Sequence, residues 1–450
     1  VEFRRRLLVL AAAAFFIRAL FLLLEPATRP VADERTWTNW AVEAIVTPRV
    51  HFNPFRFHMI FHPPLYPFFI AALYALFGTL MAVKWAQALL GALLVGALGL
   101  VGARAFGERV GLAVAALAAV YPELVWFSAH FWSETLFLAF LWWAWERLLA
   151  ADEPAARAGL AAAAGLLWGL AILTRETALY LTPIVALWLA WGRGPVGRRK
   201  GLAFLSAALL TVLPWTYRNW VVFRAFIPVS TAGGLNLYQG NAIEDGRLLG
   251  RQEVYDRYEA VQGRVEQYRW ARAEGLRSIR ERQPRWLLEK LRDEMPNFWE
   301  ADSQALVHIK RGAYGWPVRA GLALAAALVV LLPFLALLAG FVFGCAAFTW
   351  ERRRGLLLVF LAYYNLIHVA THGYARYRLP ALPVVMLLAA WAFVAWRSGT
   401  YPRLGFGRRA VAAVLALVLG LSLVPSLRRN LADPAFGLDA GAPAEDTESQ

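Results

Sequence analysis

The chain has 450 residues, of which 59% are hydrophobic and only 17% charged, with 20 tryptophans and a mean hydropathy of +0.47. Such a composition, broken into apolar runs close to membrane-crossing length, excludes a soluble globular protein and indicates an all-α polytopic membrane protein. The net charge of +15 would raise the question of nucleic acid on a soluble domain, but here most of the basic residues sit in loops between apolar runs, and no nucleic-acid partner is expected. Cys345 is the single cysteine, which excludes an intrachain disulfide and a cysteine metal cluster.

In chain order the apolar runs predict spans at roughly 7–24, 83–103, 110–126, 132–149, 158–174, 177–191, 201–222, 318–345, 355–372, 379–396 and 410–427, about eleven in all. A signal peptide also fits Arg4–Arg6 and the first run, but no small-residue cleavage site precedes "EPATRP", which favours a retained span. The run at 63–80 fits either a span or a helix lying at the interface. Leaving it out gathers Arg4–Arg6, Arg104, Arg109, Arg147, Arg157, Arg193, Arg198–Lys200, Arg352–Arg354 and Arg397–Arg409 on one side. Basic residues accumulate in short cytoplasmic loops, so this topology places the N-terminus in the cytoplasm and the C-terminus outside. It is expected to comprise one membrane domain over 1–427, with outer loops at 25–82 and 223–317, and a polar, disordered outer tail at 428–450.

Polar residues cluster at the outer ends of these runs, where an unpaired charge is costly unless it serves a site or reaches water. "DERTWTNWAVEAI" opens an amphipathic interfacial helix with the adjacent carboxylates Asp33 and Glu34; helix capping alone is a sufficient reason for Asp33. "FHPPLYP" brings His62 and Tyr66 to the entry of the 63–80 helix, fixed as extended chain by its tandem prolines. "SAHFWSETLF" places His130 and Glu134 at an outer mouth, "LTRETAL" places Arg175 and Glu176 in a short hairpin, and "PWTYRNW" places Arg218 at a boundary. "STAGGLNLYQGN" offers Asn236, Tyr238 and Asn241 on a stretch whose glycines permit close approach to a substrate or acceptor. "HGYARYRLPALP" sets Arg376 and Arg378 on the outer side, against the charge bias of the other short loops. One carboxylate pair with several cations suits transfer of a sugar from a lipid phosphate. A base takes the acceptor proton, and fixed arginines stabilise a phosphate that leaves without needing protonation.

Taken together, the acidic pair after the first span, "HPPLYP", "GARAFGERVGLAVAALAAVYP", "SETLF", "LAILTRETAL", "PWTYRN", "STAGGLNLYQGN" and "RYRLPALP" resemble the GT-C superfamily of membrane glycosyltransferases. The likeness is to the bacterial protein-mannosyltransferase-like branch that includes the ArnT-type aminoarabinose transferases. The resemblance implies a helical core with two interfacial helices in the first outer loop, in the plasma (inner) membrane with its site facing outside. It implies a polyprenyl-phosphate sugar as donor, a glycan, lipid or protein acceptor, and contacts with membrane lipids. Asp33 would be the general base with Glu34 beside it, while His62, Arg175, Arg218, Arg376 and Arg378 would hold the donor phosphate. Glu134 matches a position that in some relatives approaches a metal or the acceptor, so a divalent metal is open and no cofactor is certain. Two other classes remain open: a glycan polymerase or ligase using lipid diphosphates, and a lipid-linked sugar transporter or flippase, although Arg18 is the one charge well inside a run and no internal repeat is found.

Overall fold

The computed structural model describes residues 1–25, 33–46, 60–244, 247–314 and 318–433. The expected polar tail lies almost wholly outside them. The described chain is nearly all helix; its strands are a two-residue antiparallel pair, Ile243–Glu244 with Arg247–Leu248.

Two helices follow α1 (Glu2–Leu24) within the 25–82 segment: α2 (Asp33–Val46) and α3 (Leu65–Phe77). They pack on each other through Trp37, Ala41, Tyr66, Ile70 and Ala71. At 13 residues, α3 is about 20 Å long, well short of the roughly 30 Å of hydrocarbon in a bilayer. Gly78, in the left-handed conformation at φ 68°, ends it and turns the chain into α4 (Met81–Phe106).

The expected span at 110–126 is broken. The helices α5 (Glu108–Val120) and α6 (Pro122–Ala129) meet at 51°, because Pro122 has no N–H to continue the ladder. The bend frees carbonyls in the interior, and Arg18 of α1 answers them. It is 1% exposed and donates to the Ala119 and Ala118 oxygens at 3.1 and 3.4 Å and to Ser128 Oγ at 3.2 Å. The one charge found inside an apolar run therefore serves a helix break, and Gly91 of α4 leaves the room it needs.

The core follows with α7 (Glu134–Ala151), α8 (Ala158–Thr174), α9 (Thr182–Ala190) and α10 (Gly194–Phe223). Small residues let α8 and α10 meet closely: a Cβ on Gly165 would strike the Phe204 carbonyl, and one on Gly169 the Thr211 side chain. Trp142, Trp145 and Trp168 fill the space between α7, α8 and Phe360. The 223–317 segment holds α11 (Ala232–Gln239), α12 (Arg251–Ala260), α13 (Arg264–Glu281), α14 (Arg285–Trp299) and α15 (Gln304–Lys310). The chain closes with α16 (Ala320–Ala347), α17 (Arg352–Ala370), α18 (Leu382–Arg397) and α19 (Phe406–Ala432).

The expectation of about eleven spans is met only in part. Among the described residues four helices, α1, α4, α16 and α19, are long and apolar enough to cross a membrane, or five if α5 and α6 form one bent span. The others are helical but either short, as α8, α9 and α18 are, or charged at their ends, as α7 and α17 are. Leucines and valines of α1, α10, α16 and α19 stand exposed in rows, a surface matched to lipid rather than to water.

The basic loops do converge. Asp152, 4% exposed, pairs with Arg193 at 3.3 Å, Arg352 at 3.0 Å and Arg353 at 3.4 Å, and Arg104 bridges Glu146 and Glu153 at 3.0 and 2.8 Å. These loops lie at one end of α7, whose 18 residues carry the chain about 27 Å to the other end, where Glu134 stands.

Candidate active site

Helix ends supply the site. Asp33 opens α2, where a carboxylate also meets the positive end of the helix dipole. Glu134 opens α7 after Ser133, Arg175 terminates α8, and Arg376 belongs to the 3-10 turn Ala375–Arg378 that leads into α18. Polar groups at such ends are free of the intrahelical ladder and can converge on one point.

They form a row of alternating charge. Arg376 donates from Nη1 to Asp33 Oδ2 at 2.9 Å and lies with Nε 3.7 Å from Glu134 Oε1; Arg175 Nη1 donates to the same Glu134 oxygen at 2.8 Å and to Ser133 Oγ at 3.3 Å. Glu134 is 1% exposed at its side chain, Asp33 38%. The Arg376 guanidinium rests over the rings of Trp132, at 4.6 Å, and Tyr377, at 5.1 Å. Among the described residues Arg175 commits only Nη1 to hydrogen bonds, so Nε and Nη2 remain available to an anion. Burial pushes the Asp33 carboxyl up, but the Arg376 guanidinium overrides this and, with His62 and Arg175, holds it below the ordinary carboxylate range.

The His62 ring packs tilted against Trp37, at 4.5 Å, and edge-on to Trp40, at 5.3 Å, both on α2. Burial lowers its imidazole to about 4; Asp33 opposes this while Arg376 and Arg175 reinforce it. At neutral pH His62 is thus uncharged and meets an anion only as a hydrogen-bond donor.

Of the candidates read from sequence, Asp33, His62, Glu134, Arg175 and Arg376 come together. The rest lie outside this row. Glu34, 1% exposed, accepts from the Phe131 N–H and faces His308 Nε2, both at 3.0 Å. Tyr66 is fully buried and donates to Gln87 Oε1 at 2.8 Å. Arg218 is buried in α10 against Trp215 and Phe223 and donates to Asn219 Oδ1 at 3.0 Å. Arg378 is committed to backbone carbonyls of Phe298, Glu300 and Asp302 at the end of α14. Asn241 ties Trp286 to the carbonyls of Leu237 and Ala370, and Tyr238 packs against Trp270. Asn236 lies half-buried on α11. Sequence reading passed over Trp132, Ser133, Tyr377 and His308. The first three lie within two residues of chosen ones, so their neighbourhood is the signal; His308 has no such signal.

The residues do not fit a metal at Glu134. Arg376 occupies the position between the two carboxylates that a cation would take, and among the described residues no group of three or more His, Cys, Asp or Glu side chains is arranged to hold an ion.

Residues 61–217 match the family model for dolichyl-phosphate-mannose-protein mannosyltransferase. Among solved structures the chain is similar to the archaeal oligosaccharyltransferase AglB from Archaeoglobus fulgidus, in complex with an inhibitory peptide and a dolichol-phosphate: TM-score 0.52 and 16% identity over 99% of this chain and 57% of that one. The chain thus shares the fold of this oligosaccharyltransferase. The apo form of the A. fulgidus enzyme agrees with TM-score 0.51 and 15% identity over 98% of this chain and 57% of that one, and its complex with Zn and sulfate with TM-score 0.51 and 14% identity over 98% and 54%. The chain spans somewhat over half the length of the oligosaccharyltransferases it matches. No curated protein sequence matches it.

Proposed function

We propose that the chain is a membrane glycosyltransferase that moves a sugar from a polyprenyl-phosphate donor to a hydroxyl or amine acceptor at the outer face of the plasma membrane. The observation that carries this is the row Asp33–Arg376–Glu134–Arg175, a base beside two guanidiniums on a GT-C fold. The acceptor heteroatom attacks the anomeric carbon as its proton passes to the Asp33 carboxylate. The bond from that carbon to the phosphate oxygen breaks, and its electron pair stays on the phosphate. Arg376 and the free donors of Arg175 stabilise the charge that collects there. The row itself is neutral, two carboxylates against two guanidiniums, so the arriving phosphate competes with Asp33 for Arg376. As Arg376 turns to the phosphate, Asp33 loses the partner that holds its carboxyl low and becomes a better base in the loaded site. Glu134, buried and bonded to Arg175, keeps the second guanidinium in place meanwhile.

The test is transfer of radiolabelled sugar from polyprenyl phosphate to envelope acceptors in membranes holding wild type or Asp33→Asn at matched expression. Loss of transfer by a factor on the order of 100 or more is expected for removal of a general base. The labelled product identifies the acceptor as glycan, lipid or protein. Full activity in Asp33→Asn reduces Asp33 to a helix cap and refutes the proposal.

A further inference from the structure

Beneath Asp33 lies a buried group of carboxyls and imidazoles that the proposed chemistry leaves unused. His308 of α15 is wholly buried; its Nδ1 is 3.0 Å from the Gln304 carbonyl and its Nε2 is 3.0 Å from Glu34 Oε2. A carbonyl oxygen only accepts, so Nδ1 carries a hydrogen. In the neutral ring Nε2 is then a bare acceptor pointing at a carboxyl oxygen, and two acceptors at that distance repel. A second proton must lie between them, on the imidazole or on the carboxyl.

The same logic repeats next door. His130 Nδ1 is 3.0 Å from the Trp126 carbonyl, and Nε2 faces Glu25 Oε1 at 3.3 Å, where neither atom has another partner among the described residues. Burial raises the Glu25 carboxyl to about 8, opposed by Lys84 and reinforced by Glu34, so the shared proton belongs there to the acid. Trp126 stacks on His130 at 3.8 Å and meets His308 edge-on at 4.7 Å, holding the two pairs side by side. The charged and titratable groups facing His308 and Glu34 are therefore Glu25 after α1, Lys84 on α4, His130 after α6, Tyr66 on α3 and Tyr314 after α15.

We infer that His308 is a positioning residue for Asp33: one proton shared between His308 Nε2 and Glu34 Oε2 fastens α2 to α15 and so sets the Asp33 carboxylate against Arg376. Glu34 and Asp33 are consecutive on α2, and Glu34 is also held by the Phe131 N–H, three residues before Glu134. The pair thereby registers the first outer loop against both the second outer loop and the start of α7. This rests on the reading of Asp33 as the base. It also changes the part given to Glu34, from neighbour of the base to anchor.

Glu34→Gln separates the two. The amide oxygen still accepts from Phe131 and the amide nitrogen donates to the bare Nε2, so both bonds survive while the acid is gone. Transfer within about threefold of wild type is expected. His308→Ala frees α2, and since a misplacement of the order of 1 Å costs on the order of 100-fold, kcat is expected to fall between about 10- and 100-fold. The donor KM, set by Arg175 and Arg376, is expected to stay within about threefold. His308→Gln, whose amide donates to the Glu34 carboxylate, should recover most of the lost rate and shows that the loss in His308→Ala is not a failure to fold. Glu34→Gln as inactive as Asp33→Asn with an unchanged melting temperature overturns the inference, as does full activity in His308→Ala. Nitrogen-15 spectra of histidine-labelled protein read the proton directly, with the His308 signal assigned by its loss in His308→Ala. A hydrogen on Nδ1 with a proton shared at Nε2 supports the pair; a bare Nδ1 overturns it. A wild type without any transfer removes the Asp33 reading, while the nitrogen spectra still judge the pair.

Discussion

Arg376 is the residue on which the row turns, and Arg376→Met isolates its charge because methionine keeps a flexible stem against Trp132. The guanidinium makes a 2.9 Å bond to Asp33 and lies 3.7 Å from Glu134. A unit pair about 4 Å apart at an effective dielectric near 20 is attracted by about 4 kcal/mol. Desolvation of the guanidinium offsets most of that, and the Asp33 share is further reduced because that carboxylate is 38% exposed and screened by solvent. The net loss of fold stability is therefore expected to be about 1–2 kcal/mol. Donor binding should suffer more. A charge-assisted bond to phosphate contributes about 1.5–3 kcal/mol, which is a loss of about 10- to 150-fold in affinity. Arg376→Lys keeps the charge but not the fork, and should fall between. The assay is equilibrium binding of polyprenyl phosphate to purified protein in nanodiscs, with thermal melting as the control for folding. Donor affinity within threefold of wild type, at a wild-type melting temperature, refutes the placement of Arg376 at the phosphate.

Two further outcomes follow from the geometry. In Gly91→Ala the added Cβ comes to 2.8 Å from Ser128 Oγ and 2.9 Å from Arg18 Cδ, and closer still to Arg18 Nε. Displacing Arg18 leaves the Ala118 and Ala119 carbonyls bare, so a loss of about 2–5 kcal/mol is expected in thermal or denaturant unfolding. His62 titrates at about 4 in the fold against 6.5 ordinarily, so between those values the unfolded chain binds the extra proton. Stability due to His62 is therefore complete above about pH 6.5 and falls as the pH drops towards 4, by up to about 3 kcal/mol; melting measured across that range should flatten by this share in His62→Gln.

How much of this was written in the sequence differs between fold and site. The helices other than α2 and α11–α15 lie on the apolar runs, because burial in lipid demands long apolar segments with internally satisfied backbones whatever their neighbours are. Arg193, Arg352 and Arg353, from basic loops far apart in sequence, meet at Asp152. What the runs did not reveal was the bend at Pro122 or its answer in Arg18, residues about a hundred positions apart. In the site, the residue types and their helix-end positions were legible, and Asp33, His62, Glu134, Arg175 and Arg376 were named from them. Chain order could not tell which arginines share a point in space. Arg376 and Arg378 stand two residues apart, yet the 3-10 turn sends one to Asp33 and the other to the carbonyls ending α14. Nor could it separate Asp33 from Glu34: adjacent residues on a helix point about 100° apart, and only the packing of α15 and α7 decides that one meets a guanidinium and the other an imidazole. Sequence determines which charges reach the membrane surface; tertiary packing, which sets the partner and the desolvation of each, decides what chemistry they can do.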